Sequence, residues 1–404
     1  MSGFDYYIRT DCRLCGCSFT EVLDLGRTAL ANEVRGDPKE PQDMFPLKLV
    51  RCDVCGHMQN PVVVKPERLF RHYSYTSGLT ESYREHLRRY AESIAPHLKP
   101  GDLLVEIGGN DGSLVESLEG TGIRYLNIDP SDVEQSWGMR DKSFFGHDVA
   151  CRIREEHGPA EVVVANHVFA HVDDLHDMAK GVHQLLADDG VFFCEVGHGP
   201  NQLNSGCLDV IYHEHLSFHD ARSFDLFLQR CGLWMVDVET NEAQGSALRV
   251  QAVKSRLCGV QRYWEPYSTE YDVPRIKQTA EHLRCLGEFL AEASGANADR
   301  GGPPSLAIYG APAKLTTLLA ITGLTYSGDD YAAVYDDSPR KVGRYVPGTS
   351  APIRAPNLGS LNRHRFILIA SWNFEREIRE RWKDYQGTWI VPLPEVRFYR
   401  GGGA

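Results

Sequence analysis

The stretch VEIGGNDGSLVESL, residues 105–118, ends an apolar run, turns through glycines and enters a short helical pattern. Gly108, Gly109 and Gly112 would let the backbone approach a ligand closely at the carboxyl end of a parallel strand. Apolar runs and helical patterns alternate around this stretch, from residue 102 to about 255. The alternation predicts an α/β fold with a mostly parallel, doubly wound sheet.

The 404 residues are enough for two or three domains. We expect a cysteine-rich module at 1–65 and a central Rossmann-like domain with an N-terminal helical segment at 66–264. A linker helix and a second Rossmann-like α/β domain are expected at 265–404. The stretch GANADRGGPPS, residues 295–305, is the clearest break in composition within that last part.

The composition is that of a globular protein, with 42% hydrophobic and 24% charged residues. We find no apolar run of the roughly 20 residues that a membrane span needs, and no apolar signal core at the N-terminus. A formal charge of −12 disfavours nucleic-acid binding, which depends on a basic surface. We therefore expect a cytoplasmic protein that binds neither membrane nor nucleic acid.

Four of the 11 cysteines form two C-x2-C pairs, Cys12 with Cys15 and Cys52 with Cys55. A glycine follows each pair directly, which suits a tight turn with both thiolates on one side. Two such turns supply the four ligands of tetrahedral zinc and leave no open coordination position. The spacing predicts a structural zinc site, for which Cys17 or His57 could replace one ligand. The alternative is a set of inert thiols.

The glycine loop lacks the GxGxxG pattern of dinucleotide sites and the lysine of a phosphate-binding loop. Glu106 ends the preceding strand, Asp111 lies inside the loop with Gly108, just before Gly112, and Asp129 ends the next strand. A carboxylate at Asp111 would repel a pyrophosphate, whereas Asp129 could bind both hydroxyls of a ribose. These residues fit S-adenosylmethionine better than NAD.

Two further contacts to S-adenosylmethionine are expected with less support from the pattern. Asp148, in FFGHDVA, could meet the adenine edge, although a helix-cap aspartate explains it equally well. Tyr75, in the aromatic segment before the domain, could contact the ligand as part of a lid. A packing role is the simpler interpretation of that tyrosine.

The stretch DVIYHEHLSFHD, residues 209–220, follows the strand that ends near Glu195. Metal binding is disfavoured, because histidines at i and i+2 do not share a helix face. Acid/base chemistry is the better interpretation, since histidine titrates near neutral pH. In an extended segment His213 would face away from its neighbours, so replacing it is expected to have a mild effect.

Four features occur in one order along the chain: the cysteine-rich module, EIGGNDG, YHEHLSF, and YGAPAK with YDDSPRKVGRYVPGTSAPI. Together they resemble the zinc-containing, S-adenosylmethionine-dependent C-methyltransferases of deoxysugar biosynthesis, over nearly the whole chain. The resemblance implies a class I methyltransferase domain at the centre. It also implies catalytic roles for Tyr212, Glu214 and His215, and for His171 in ANHVFAHV, with His167 as the alternative. Leu315 departs from the family, where a small or polar residue tends to follow the lysine.

The resemblance implies methylation at C3 of a nucleoside-diphosphate-linked 4-keto-6-deoxyhexose through an enolate. His215 would remove the C3 proton, Tyr212 would donate to the C4 oxyanion, and Glu214 would orient His215 or hold a sugar hydroxyl. His171 would be a second donor or a proton relay. For the nucleotide, thymidine diphosphate is favoured over guanosine diphosphate.

The C-terminal domain is expected to bind the diphosphate of that substrate. Lys314, Arg340, Lys341 and Arg344 lie in its turn segments and would give an acidic chain a local basic pocket. Solvated surface charge is the alternative for about half of them.

Three rival functions are compatible with parts of the sequence. The first is an O- or N-methyltransferase, which needs a base but no enolising site. The second is a non-catalytic zinc-ribbon and Rossmann binding protein, which would not need Glu106, Asp129 and His215. The third is an NAD-dependent oxidoreductase or epimerase, disfavoured by the missing GxGxxG and Y-x3-K patterns.

Overall fold

The structure is a computed structural model that describes residues 5–71, 76–79, 81–254, 264, 267, 269–298, 305–324 and 333–402. The strands, in chain order, are β1 (Tyr6–Ile8), β2 (Phe19–Thr28), β3 (Phe45–Cys52), β4 (Met58–Gln59), β5 (Val62–Val64), β6 (Leu103–Ile107), β7 (Arg124–Ile128), β8 (Met139–Asp141), β9 (Ala160–Asn166), β10 (Leu186–Gly197), β11 (Ser217–Phe218), β12 (Trp234–Asn241), β13 (Ala247–Val253), β14 (Leu306–Tyr309), β15 (Val334–Tyr335), β16 (Ile353–Arg354), β17 (Phe366–Ile369), β18 (Thr388–Val391) and β19 (Arg397–Arg400).

The helices are α1 (Pro66–Phe70), α2 (Glu81–Ile94), α3 (His147–His157), α4 (Leu175–Leu185), α5 (Gly199–Asn204), α6 (Ala221–Arg230), α7 (Val273–Ala298), α8 (Leu315–Thr322), α9 (Leu358–Leu361) and α10 (Glu375–Arg381). Across the described ranges, no helix is both long enough and apolar enough to cross a membrane.

Residue contacts divide the chain into two compact units, each built from separate stretches of sequence. The first unit comprises Met1–Thr20, Val50–Gln202 and Glu214–Tyr271. The second unit comprises Glu21–Leu49, Leu203–His213 and Asp272–Ala404. The predicted boundary near residue 265 lies close to a division between the units. The stretches 21–49 and 203–213, which the predicted linear domains placed in the cysteine-rich module and the central domain, belong to the second unit.

The first unit is centred on a seven-stranded sheet with the order β12-β13-β10-β9-β6-β7-β8. β6, β7, β8, β9 and β10 pair in parallel, and β13 runs antiparallel to both of its neighbours. The strand order changes direction between β6 and β9. In doubly wound sheets ligands bind at that point, outside the carboxyl ends of the strands.

Apolar residues cover both faces of this sheet. Leu103, Val105 and Phe192 point into one buried cluster with α3, α4 and α6, and Leu104, Val162 and Phe193 point into another with α2. Alternate residues of each strand thus enter opposite clusters, as the period of two requires. Strands buried on both faces read as continuous apolar runs, which explains why the sequence pattern identified them.

One helix ends earlier than its terminal glycine suggests. The pattern DLHDMAKGVHQLLADDG predicts a helix closed by Gly190, but α4 ends at Leu185 and β10 starts at the next residue. The β10 register shifts between Leu186 and Val191. A Cβ on Gly190 would lie 3.0 Å from the carbonyl oxygen of Ala160. The glycine therefore serves a close strand contact instead of a helix end.

The N-terminal part of the first unit consists of short strands. β1 pairs antiparallel with β5, and β4 pairs antiparallel with β11 and with Val50 and Arg51 at the end of β3. The strand β11 begins two residues after the end of the YHEH motif. A strand from the cysteine-rich module is therefore hydrogen-bonded to the segment that carries this motif.

The second unit contains a six-stranded sheet with the order β16-β15-β14-β17-β18-β19, parallel except for β19. Its order changes direction between β14 and β17, which is the arrangement of a Rossmann fold. The predicted fold class, an α/β protein with two Rossmann-like sheets, is confirmed.

Candidate functional site

The glycine loop lies at the point where the sheet of the first unit changes direction. Gly108 follows β6 with φ +66°, and a Cβ there would lie 2.5 Å from Cγ2 of Val168, just after β9. The chain can therefore pass between the ends of these two strands only with glycine at this position. The loop and the segment that contains Val168 therefore lie side by side at the ends of β6 and β9.

Glu106 lies beneath the loop instead of facing solvent. Its carboxylate is buried and accepts a hydrogen bond from the Tyr125 hydroxyl at 2.6 Å. A Cβ on Gly109 would lie 2.7 Å from that carboxylate, so the loop packs directly on it. Burial raises the pKa of Glu106 to about 8, although the Tyr125 hydrogen bond opposes the rise.

Asp129 holds the loop from the neighbouring strand. Its carboxylate accepts hydrogen bonds from the backbone N–H of Asn110 at 2.9 Å and of Ser131 at 2.8 Å, and Arg140 lies at 3.4 Å. The side chain is 8% exposed. Each carboxylate oxygen can accept more than one hydrogen bond, so a ribose would share Asp129 with the loop.

Asp111 joins the loop to the segment before the domain. Its carboxylate accepts from the backbone N–H of Gly78 at 3.0 Å, and the Asn110 amide oxygen accepts from that of Ser77 at 3.1 Å. Tyr75 lies outside the described residues, so its predicted ligand contact stays a prediction.

Asp148 is in the first turn of α3, and its side chain is fully exposed. Its contact in the structure is a long ion pair of 3.8 Å to its neighbour His147. The structure thus gives Asp148 a place at a helix N-terminus, where a carboxylate is favourable in any case. An adenine contact stays a prediction.

His171 and His215 come together in the first unit. Their ring centroids are 5.1 Å apart, and Nδ1 of His171 lies 2.7 Å from the backbone carbonyl oxygen of Glu214. A carbonyl can only accept, so Nδ1 carries the proton and Nε2 is left as an acceptor. Burial lowers the pKa of His171 to about 4, which keeps this imidazole neutral at pH 7.

A second cluster of titratable groups lies at the end of β10. The Glu195 carboxylate is fully buried and contacts His86 Nε2 at 2.7 Å, Arg249 Nη2 at 2.7 Å and Asn241 Nδ2 at 3.0 Å. His167 Nε2 lies 3.4 Å away, and His167 has a φ of +56°, which is unusual for a residue other than glycine.

Burial alone would raise the pKa of Glu195, but its bonds to His167 and His86 and the charge of Arg249 hold it well below the usual range. The sequence indicated Glu195 only as the end of a strand. His86 lies on α2 and Arg249 on β13, so their spacing of 109 and 54 residues from Glu195 carries no signal.

The four cysteines of the two pairs form one group. Their sulfur atoms all lie within 4.8 Å of one another, with Cys12 3.7 Å from Cys55 and Cys15 3.4 Å from Cys52. A zinc ion at about 2.3 Å from four thiolates would separate them by roughly 3.8 Å. Gly16 and Gly56 have φ of +73° and +79°, as the tight turns require. The cluster therefore fits a structural zinc ion.

The first half of the YHEH motif belongs to the second unit. Tyr212 is partly buried there, after a turn of 3-10 helix at Leu208–Val210. His213 is buried, its Nε2 lies 3.0 Å from the carbonyl oxygen of Pro46, and Phe45 packs edge-on against its ring. This packing predicts a loss of stability when His213 is replaced, and the mild effect on activity expected from the sequence stays a prediction.

Lys314, predicted to bind a diphosphate, already has an anionic partner in the second unit. Its Nζ lies 3.2 Å from the buried carboxylate of Asp209 and 4.3 Å from the ring centre of Trp372. The Trp372 indole N–H donates to the same carboxylate at 2.6 Å. Lys314 is thus paired with a buried carboxylate, and a phosphate would have to compete with Asp209 for it.

The other three predicted basic residues follow β15. Lys341 donates to the carbonyl oxygen of Ala311 at 2.8 Å and lies 3.8 Å from Asp336. Arg340 and Arg344 are exposed. Asp336, at the end of β15, accepts from the backbone N–H of Ala311 at 2.7 Å. Among these residues the two arginines have the most exposed side chains.

Three family descriptions match consecutive parts of the chain. A zinc binding domain matches residues 12–70, a methyltransferase domain matches 76–238, and a C-methyltransferase C-terminal domain matches 278–394. The chain is 31% identical over 417 residues to C-methyltransferase NovU of Streptomyces niveus, and the match covers 96% of each protein.

Solved methyltransferases match only part of the chain. Magnesium protoporphyrin IX methyltransferase from Synechocystis PCC 6803 with bound SAH is 16% identical with a TM-score of 0.34, over 43% of this chain and 83% of that one. The 1,6-didemethyltoxoflavin-N1-methyltransferase of Burkholderia thailandensis is 15% identical with a TM-score of 0.33, over 42% and 78%.

Proposed function

The chain belongs to the S-adenosylmethionine-dependent C-methyltransferases with an N-terminal zinc-binding domain, and on that premise we propose its substrate and mechanism. The proposed substrate is a nucleoside-diphosphate-linked 4-keto-6-deoxyhexose, with thymidine diphosphate favoured over guanosine diphosphate. The enzyme adds a methyl group to C3 through an enolate, in branched deoxysugar biosynthesis.

The observation that carries this proposal is the pair of His171 and His215 in the unit that also holds the glycine loop. Carbon becomes a nucleophile only after a proton is removed, so a C-methyltransferase needs a base that an O-methyltransferase of an acidic hydroxyl can do without. His171 is neutral, and its ring beside His215 offers a route for a proton. Two adjacent imidazoles suit removal and relay of a proton near neutral pH.

In the proposed reaction His215 takes the proton from C3 of the substrate. The electron pair of the broken C–H bond forms the C3–C4 double bond, and the C4 carbonyl oxygen becomes an oxyanion. Tyr212 donates a hydrogen bond to that oxyanion, a type of contact whose loss typically costs on the order of 10²–10³-fold in turnover. Glu214 is assigned to a sugar hydroxyl or to the orientation of His215.

The residues proposed to hold S-adenosylmethionine are Gly108, Asp111 and Asp129, with Glu106 supporting the loop from beneath. When bound, this cofactor would supply an electrophilic methyl group to the nucleophilic C3 of the enolate; S-adenosylhomocysteine would be the leaving group, and the C4 carbonyl would re-form. The close approach of Gly108 to Val168 and the carboxylates around the loop support the assignment. The four-thiolate zinc site leaves no ligand position for substrate, so its role is structural.

The second unit is proposed to bind the nucleoside diphosphate. A glycine with φ +92° follows β14, and Asp336 ends β15, the arrangement in which Rossmann folds bind nucleotides. Arg340 and Arg344 are the proposed phosphate ligands, because their side chains are exposed while Lys314 and Lys341 have partners. Lys314 and Lys341 are proposed to contribute less to phosphate binding than the two arginines.

The test is incubation with S-adenosylmethionine and a panel of nucleotide-linked 4-keto-6-deoxysugars, read as a mass gain of one methyl group. Substrate deuterated at C3 separates the proposal from O- or N-methylation, since only the enolate route exchanges that deuterium with water. Methylated product with the C3 deuterium fully retained would refute C3 methylation. A failure to bind S-adenosylmethionine in calorimetry would favour a non-catalytic binding protein.

A further inference from the structure

Arg13, a buried cation in the first unit, has no role in the proposed reaction. Arg13 lies between Cys12 and Cys15 in the first cysteine turn, and its side chain is fully buried. Burying a guanidinium costs several kcal/mol unless hydrogen bonds and a counter-charge compensate it. The contacts of Arg13 therefore indicate what the residue stabilises.

The guanidinium contacts three separate parts of the chain. Nη1 donates to the carbonyl oxygens of Asn60 at 2.7 Å and Leu216 at 3.0 Å. Nε donates to the Asp173 carboxylate at 3.0 Å, which supplies the counter-charge. Only arginine presents several donors in a fixed fork, so a lysine could not satisfy these acceptors together.

Leu216 directly follows His215, and its backbone is held from two further sides. Its carbonyl oxygen also accepts from the N–H of Asn60 at 3.0 Å, and its N–H donates to the carbonyl oxygen of Ala170 at 2.7 Å. Ala170 directly precedes His171. The two histidines of the candidate site are therefore attached to one small network of backbone hydrogen bonds. In the described part of the chain, Arg13 is the only side chain that donates a hydrogen bond to Leu216.

The cysteine turn fixes the start of this network. The Arg13 backbone N–H donates to the Gln59 side chain at 2.9 Å, and Gln59 is on β4, which pairs with β11 after the YHEH motif. A metal held by the cysteines on both sides of Arg13 would restrict the backbone from which the guanidinium extends. Zinc can thus affect the candidate site without touching substrate.

We propose that Arg13 is a positioning residue for His215 and His171, and that through it the zinc-bound turn sets the geometry of the base. The inference rests on the proposed function for the role of His215. Misplacement of a reacting group by about 1 Å can cost on the order of 10²-fold in rate. The positions of the two imidazoles therefore matter even though Arg13 contacts only the backbone beside them.

The test compares R13K with R9K in the full-length, zinc-loaded protein. Arg9 also pairs with Asp173, at 3.3 Å, but within the described ranges its side chain donates no hydrogen bond to Leu216, so R9K is the matched control. R13K is expected to keep zinc and S-adenosylmethionine binding, and to lower kcat by roughly 10–100-fold with KM changed by less than about threefold. R9K is expected to match wild type.

Two readouts separate positioning from a general loss of folded protein. With substrate deuterated at C3, R13K should show a larger isotope effect on kcat, because proton removal becomes slower; a smaller active fraction would leave the isotope effect unchanged. Amide hydrogen exchange of residues 214–219, measured without substrate, should speed up in R13K and not in R9K. R13M, which removes the charge, replaces R13K if that variant does not fold.

Wild-type rates, isotope effect and exchange in R13K would overturn the inference. Loss of zinc or of thermal stability with an unchanged isotope effect would also overturn it, because Arg13 would then only support the fold. If wild type methylates no keto-sugar, the proposed function fails. The exchange of residues 214–219 still decides whether Arg13 holds that segment.

Discussion

The carboxylate of Asp129 accepts a hydrogen bond from the backbone N–H of Asn110 at 2.9 Å, across the ends of two neighbouring strands. The second unit repeats this relationship, since Asp336 accepts from the N–H of Ala311 at 2.7 Å. In both sheets an acid at the end of one strand fixes the loop after the strand beside it. An aspartate in this position organises the loop as well as offering oxygen atoms to a ribose.

Asp129→Ala is expected to weaken S-adenosylmethionine binding strongly. It removes two charge-assisted hydrogen bonds to the ribose, each on the order of 1.5–3 kcal/mol, and it also frees the N–H of Asn110. Calorimetric titration measures the loss. Asp132→Ala removes an exposed carboxylate three positions later and should bind the donor normally. Equal affinity in the two variants would show that Asp129 has no role in the site.

His215→Asn is expected to retain both ligands and to lose methyl transfer, by on the order of 10²–10⁴-fold for a positioned base. Exchange at the substrate C3 should fall with it. Tyr212→Phe keeps the base and removes only the proposed donor, so kcat should fall with little change in KM. Rapid C3 exchange in the His215 variant would assign proton removal to another group, with His171 the next to test.

His213→Ala is expected to lower the stability of the protein and not its chemistry. The ring is buried against Phe45 and lies 3.0 Å from the Pro46 carbonyl oxygen, so truncation leaves a cavity and an unpaired acceptor. A loss of about 2–4 kcal/mol in the free energy of unfolding would be measured by urea denaturation. A stable variant with no activity would instead point to a catalytic His213.

Glu195→Gln should destabilise far more than Glu239→Gln, although both carboxylates pair with Arg249. Breaking a buried pair costs about 3–5 kcal/mol, whereas Glu239 is 53% exposed and an exposed pair contributes roughly 0–1 kcal/mol. Urea denaturation of the two variants makes the comparison. Similar losses would mean that Glu195 is better hydrated than its burial indicates.

Cys55→Ser is expected to abolish stoichiometric zinc and to destabilise the cysteine-rich module, because structural zinc binding is coupled to folding. Cys17→Ser is the matched control, since Cys17 is adjacent in sequence to the first pair but lies outside the sulfur cluster. Metal analysis should find one zinc per chain in wild type and in the control. Full zinc content in the Cys55 variant would require a different ligand set.

Glu106 should make stability depend on pH. Its folded pKa of about 8 exceeds that of an unfolded glutamate, so the folded state holds a proton that the unfolded state releases. The free energy of unfolding should therefore fall between about pH 4.5 and 8, by on the order of 5 kcal/mol, and Glu106→Gln should remove that fall. Glu116→Gln, at an exposed site in the turn of 3-10 helix after the glycine loop, should leave the fall unchanged. A parallel pH profile for wild type and Glu106→Gln would contradict the burial effect.

Local patterns were sufficient to predict the sheets and the cysteine cluster. Runs such as DLLVEIGG and RFILIAS are predominantly apolar because both faces of a doubly wound sheet are covered, and that signal lies within five or six residues. The C-x2-C pairs are equally local. The end of α4 could not be predicted in the same way. Gly190 is required by its close contact with β9, and the residues around it in the sequence do not indicate that contact.

The candidate site was predictable only where its residues follow strands. Gly108, Asp129, His171 and His215 all lie just after strands or in a recognisable motif. Glu195 acquires its partners from α2 and β13, and Arg13 acquires Leu216 over a separation of 203 residues. The pairing of Lys314 with Asp209 was missed for the same reason. Such contacts depend on tertiary packing, so composition and spacing contain no trace of them.

The second unit is built from three separate stretches of the chain, and this determines where its gene could be recombined with the gene of a related enzyme. Arg35 and Tyr345 exchange backbone hydrogen bonds at 3.3 and 3.0 Å, and Thr317 donates to the carbonyl oxygen of Ile211 at 2.6 Å. A chimaera that imports only 272–404 from another enzyme would combine one parent's scaffold with the other parent's stretches 21–49 and 203–213. An exchange of the second unit therefore requires three gene segments to be replaced together. The shortest, of 11 codons, encodes Leu203–His213 and includes Tyr212.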